Sequence, residues 1–141
     1  MPKIRSVLVV AAVAAVGSFA AVWLFVKHVV EAAEYYQGTL GPAIEAKYGF
    51  THGSPYVLAG NFSQEVFTLR PTSGGVLAQH GVVYDDIVLG YSITELYRDL
   101  YECRNSPITI TLVVGDDGPP LEARARRLVH IPCAPLSIRP N

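Results

Sequence analysis

Two adjacent carboxylates, Asp85 and Asp86, interrupt an apolar run between Val82-Val83-Tyr84 and Ile87-Val88-Leu89. Such a pair could serve as an acid and a base, hold a metal ion, or shape a turn. Successive side chains of an extended strand point to opposite faces, which works against convergence of the two on one ion or substrate. An aspartate directly ahead of an apolar strand accepts backbone N–H bonds of its own turn, and that is the role expected here. His28, His52, His80 and His130 are candidate metal ligands, and His130-x-x-Cys133 sets two ligand types at short spacing. No second pair accompanies it, so no zinc site is expected. Nucleophilic catalysis would need a serine or cysteine beside a base and an orienting partner. There is no Gly-x-Ser-x-Gly elbow, and Ser54 and Ser73 lie in turn contexts. The expectation is a chain without catalytic residues, cofactor or metal. Asn61-Phe62-Ser63 is a glycosylation sequon, relevant where the host glycosylates exported proteins.

The elements that carry these residues begin with an apolar block. Val7 to Val26 has no charge, and a helix of that length spans roughly 30 Å, the hydrocarbon thickness of a bilayer. Trp23 sits near its second boundary, where an amphipathic ring is favourable. Ser18-Phe19-Ala20 has the form of a signal-peptidase site, which makes a cleaved signal peptide the competing reading. Val22-Trp23-Leu24-Phe25-Val26 extends the stripe beyond that site, and an uncleaved anchor is expected. Lys3 and Arg5 precede the block; Lys27 and His28 follow it, ahead of Glu31 and Glu34. The positive-inside rule then assigns residues 1–6 to the cytoplasm, 7–26 to a transmembrane signal anchor whose helix continues to about residue 37, and 39–141 to an exported domain. The result would be a single-pass inner (plasma) membrane protein with a periplasmic or extracellular C-terminal region, its lipid contact made through 7–26. Ala11 with Ala15 and Gly17 with Ala21 lie four apart and permit a helix-mediated oligomer, a spacing an alanine-rich segment also produces by chance. In an exported chain Cys103 and Cys133 are expected to form a disulfide. The net charge of −1 gives no footprint for nucleic acid.

Beyond the anchor, about one hundred residues suit one small domain. Gly38 ends the helical pattern, and Gly41-Pro42 can start a short second helix. Val66 to Leu69 is a strand, Thr72 to Gly75 a turn, Val76 to Gly81 a short helical piece, and Ile87 to Leu89 a strand. Ile93 to Cys103 is the clearest helix. Ser92 and Glu95 have capping-box spacing, and Ile93, Leu96, Tyr97, Leu100 and Tyr101 form one apolar face. Tyr97 and Tyr101 read as core or groove lining rather than as a functional box. Ile108, Ile110, Leu112 and Val114 alternate with Thr109, Thr111 and Val113. Leu121 to Ile131 reads as the returning strand, with a charged outer face and a bulge or edge near Arg127-Leu128.

In this order the residues resemble a PDZ domain from about Tyr48 to His130. Phe67 to Pro71 matches the family's strand, Ser73-Gly74-Gly75 its turn and Ala78 its small helix residue. Gly81-Val82 and Asp85-Asp86-Ile87-Val88 match Gly-apolar and Gly-Asp-x-Ile, and Ile108 to Val114 matches the late strand. Tyr48-Gly49-Phe50 looks like the carboxylate-binding loop. Asp85 stands where the family has glycine, the turn before the helix is shortened, and the first strand has no clear equivalent. The resemblance implies a small α+β domain, a partly open β-barrel of short strands with one short and one long helix. It implies a non-enzymatic module that adds a peptide or protein segment beside the strand starting at Phe50. Tyr48, Gly49 and Phe50 would receive a terminal carboxylate, and Phe50, Leu96 and Leu100 would line the groove. The alternative expectation is a structural subunit of a larger envelope complex with no peptide groove, favoured by the short turn before the helix.

Overall fold

The computed structural model describes residues 2–58, 64–115 and 119–137. It divides into two compact units, Met1–Tyr35 and Tyr36–Asn141. The first is a helix, α1 (Pro2–Ala33), whose large apolar side chains from Leu8 to Val26 are all exposed. It is long and apolar enough to cross a membrane. Lys27 places its ammonium 5.6 Å from the centre of the Trp23 ring. The backbone from Glu34 to Thr39 takes a π-helical turn instead of continuing as α-helix.

The second unit opens with α2 (Gly41–Tyr48). Pro42 is tolerated in its first turn, where backbone N–H groups have no partner within the helix, and Gly49 ends it in the left-handed conformation (φ 66°). There follow β1 (Phe50–His52), β2 (Tyr56–Leu58), β3 (Gln64–Pro71), α3 (Val76–Gln79) and β4 (Asp86–Leu89). The chain closes with α4 (Ile93–Glu102), β5 (Ile108–Val113), a 3₁₀ turn at Leu121–Ala123 and β6 (Arg127–Ile131). All strand pairs are antiparallel, in the order β1-β3-β4-β5-β6, and β2 also pairs with β3. His52 lies opposite Leu69 and Tyr56 opposite Val66, so three residues (53–55) face two (67–68). β1 and β2 are thus one edge strand broken by a bulge at Gly53-Ser54-Pro55, where proline and glycine are at home.

α2 and α4 pack on one face of the sheet. Ile44, Tyr48, Leu96, Tyr97 and Leu100 meet Phe50, Phe67, Leu69, Val88, Ile110, Leu112 and Ile131 in the main core. A smaller cluster of Val66, Ile87, Leu89 and Val113 joins Leu121 on the other face. The expected capping box is present: Ser92 Oγ accepts from the Glu95 amide at 3.1 Å, and Glu95 Oε2 accepts from the Ser92 amide at 2.8 Å. α4 ends one residue earlier than expected, because Cys103 takes a left-handed cap (φ 43°). Residues 121–126 are not strand, as the charged alternation suggested. A 3₁₀ turn occupies 121–123, and Arg124 donates to the carbonyls of Pro119 and Val114. Val114 was expected on the face of Ile108, Ile110 and Leu112; it lies beyond β5 and is exposed. Cys103 and Cys133 form a disulfide that ties the cap of α4 to the chain after β6.

Candidate functional site

The aspartate pair is divided between two jobs. Asp86 is buried; its Oδ2 accepts from the Val83 amide at 2.7 Å and pairs with Arg127 Nη2 at 2.5 Å. Arg127 also donates to the Gly81 carbonyl at 2.9 Å. Asp85 takes a positive φ of 62°, and its Oδ1 lies 3.0 Å from Arg70 Nε. The carboxylates bind different arginines: Asp86 holds the turn through the Val83 amide and pairs with Arg127, and Asp85 pairs with Arg70 at the surface. The histidines are scattered. His52 meets Phe67 and Tyr97 edge to face, His80 Nδ1 lies 2.8 Å from the Val76 carbonyl, and His130 Nδ1 lies 2.9 Å from Thr109 Oγ1. Among the described residues no three His, Cys, Asp or Glu side chains could hold a metal ion. Asn61 lies outside the described residues.

The residues expected to form a peptide groove are in the core. Tyr48 and Phe50 are each 1% exposed, and Leu96 and Leu100 are fully buried. The Tyr48 hydroxyl donates to the Leu100 carbonyl at 3.0 Å, binding the end of α2 to α4. The Gly49 amide donates to the Glu45 carbonyl at 2.8 Å as the helix cap, and its carbonyl accepts from Thr72. A Cβ on Gly49 would lie 2.6 Å from the Gly75 Cα, so glycine is required by the close approach as well as by φ. Tyr48, Phe50, Leu96 and Leu100 therefore come together as interior packing. What covers them is the chain's own segment from Leu40 to Tyr48: Leu40, Ile44 and Tyr48 are buried in the same cluster. The Tyr97 hydroxyl reaches Glu45 Oε1 on α2 at 2.5 Å. Burial first, and then this bond, push the Tyr97 hydroxyl far above its ordinary pKa. Tyr91 is pushed up to about 12, by burial and by its bond to Asp99.

An open edge remains beside this packed helix pair. Gly53 N–H donates to Thr68 O, and Gly49 O accepts from Thr72 N–H; these bonds flank the Thr51–Arg70 pair in the ladder. Thr51 thus turns its backbone groups toward β3, and Phe50 and His52 turn theirs away from it; Phe50 is buried, so the accessible part of this edge is at His52. β1 has no second partner strand among the described residues. Next to it lies a cavity of about 330 Å³, lined by Gln37, His52, Pro55, Glu65, Phe67, Tyr91 and Thr94 among others. A larger hollow of about 570 Å³ lies along the outer side of α4, lined by Arg98, Asp99, Glu102 and Arg104 among others. Its charges pair with one another, Arg98 with Asp99 and Arg104 with Glu102. The cavity beside β1 was missed in the sequence, where Gly53-Ser54-Pro55 is the one local sign of a broken edge strand. The Asp86–Arg127 pair had no local sign. Comparison with protein-family models, curated proteins and solved structures finds no match to this chain.

Proposed function

We propose that this chain is a membrane-tethered, non-enzymatic protein-binding domain of PDZ-like architecture. α1 spans the inner membrane with residues 1–6 in the cytoplasm, and the second unit lies on the outer face. The observation that carries the reading is the β1 edge, which has no second partner strand among the described residues and is half-exposed at His52, beside a cavity lined in part by His52, Phe67 and Tyr91. An extended partner segment can add to such an edge by main-chain hydrogen bonds and insert one side chain into the cavity. Two further observations support the architecture. The order strand, short helix, Asp turn, strand, long helix, strand is the one the resemblance implies. Asp85, which stands in place of the family's glycine, keeps a left-handed backbone. The carboxylate-loop form of the reading has less support, because the Gly49 amide already caps α2.

A second reading, a structural subunit held permanently in a larger complex, is favoured by the burial of all three side chains expected to line the groove, Phe50, Leu96 and Leu100. Co-purification from membranes in mild detergent separates the two. Substoichiometric partners that a Thr51→Lys change on the β1 edge removes support the binding module. One stoichiometric set, retained by that variant, supports the subunit.

A further inference from the structure

The cavity beside β1 holds about 330 Å³, the small end of the range for ligand pockets and room for one long side chain. Glu65 and Phe67 stand two apart on β3, share one face of the strand and both line it. Glu65 is exposed and has no ion-pair partner among the described residues. It is alone in this among the described carboxylate side chains of the second unit. Glu45 is held by Tyr97, Asp85 by Arg70, Asp86 by Arg127, Glu95 by the Ser92 amide, Asp99 by Arg98 and Glu102 by Arg104. His52 adds a second acceptor to the lining. Its Nδ1 lies 2.8 Å from the Gly53 carbonyl, which can only accept, so Nδ1 carries the proton and the neutral ring keeps its lone pair at Nε2. The Phe67 and Tyr91 rings in the lining suit a methylene stem, and aromatic faces attract a cation. The start of α4 also borders the cavity and would favour an anion, but the Glu95 carboxylate already occupies it. An apolar occupant would take water from Glu65 and return no partner.

We propose that the cavity receives one cationic side chain, lysine or arginine, from the segment that adds to β1, with its charge at Glu65 and its stem against Phe67 and Tyr91. The inference rests on the reading of the β1 edge as a partner site and names the chemistry of the partner: an extended segment with a basic residue facing α4.

The test uses the full chain in micelles of an uncharged detergent. It is titrated with butylguanidinium, which mimics an arginine side chain, and with butylurea, its uncharged counterpart, while NMR follows the His52 ring. Butylguanidinium should shift the ring signals saturably and bind at least about threefold tighter than butylurea. Glu65→Gln should erase that preference with Tm unchanged, because the side chain is exposed. Equal binding of the two probes, binding of neither, or a preference that survives Glu65→Gln overturns the proposal. Blocked peptides Thr-Val-X-Val-Thr, with X lysine, glutamate or leucine, then separate it from the reading it rests on, through hydrogen exchange at the His52 amide. Exchange slowed by the lysine peptide alone supports both. A butylguanidinium preference with no slowing by any peptide supports the cation site and removes strand addition. Equal slowing by all three peptides keeps strand addition and overturns the cation site.

Discussion

Asp86 shows how much a sequence pattern can hide in one side chain. Its carboxylate is withdrawn from water and satisfied by the Val83 amide and by Arg127, forty-one residues later. A turn role was legible from aspartate ahead of an apolar strand; the arginine partner was not, because no local rule links positions so far apart. Removing the arginine leaves a buried charge without its counter-ion. Arg127→Ala should therefore lower stability by about 3 kcal/mol, read as a shift of the denaturation midpoint. Tyr97 makes a separate forecast. Its folded-state pKa lies above the unfolded value of about 10, so its contribution is fully present below pH 10 and is lost as pH rises beyond that. Tyr91 acts in the same direction, with loss extending toward pH 12. Stability should fall in alkaline solution, and Tyr97→Phe should flatten that fall above pH 10 while costing about 1–3 kcal/mol at neutral pH through the lost bond to Glu45.

The helices and strands were legible in proportion to their length and self-sufficiency. α4 declared itself because its cap, period and stop are all local, and the structure reproduces the capping box atom for atom. β1 and β2 are three residues each, too short to show a period, and the bulge between them breaks the alternation. Residues 121–126 read as a strand because charged and apolar residues alternate there; the carbonyls of Val114 and Pro119 claim Arg124 instead. The burial of Tyr48, Phe50, Leu96 and Leu100 could not be read from α4 or β1 alone. It depends on α2 packing across them, and α2 has only a weak apolar pattern of its own. The loop at Gly49 is accordingly a structural joint. Gly49→Val adds positive-φ strain and forces apart the Gly49–Gly75 backbone contact. It should cost about 3 kcal/mol or more, visible as a large drop in Tm.

For the molecule as a whole, the long apolar helix and the disulfide were both anticipated from composition. The helix is long and apolar enough to cross a bilayer, and Cys103 is bonded to Cys133 across a separation of 30 residues. That crosslink holds the chain after β6, where Ala134 accepts from Lys47 Nζ at 2.6 Å and its amide donates to the Tyr48 hydroxyl. Replacing the pair with serines should destabilise the domain by about 3–4 kcal/mol, checked by chemical denaturation of the two forms. The proposed binding is the addition of a partner segment to the edge of β1 at His52. It is tested most directly by a photo-crosslinking residue at Thr51 in native membranes, with the same residue at Leu128 on β6 as the comparison. Discrete protein adducts are expected at Thr51, diminished by a Pro55→Lys change at the cavity wall, with none of those adducts at Leu128. Adducts at Leu128 with none at Thr51 would contradict it and move the partner to the opposite edge of the sheet.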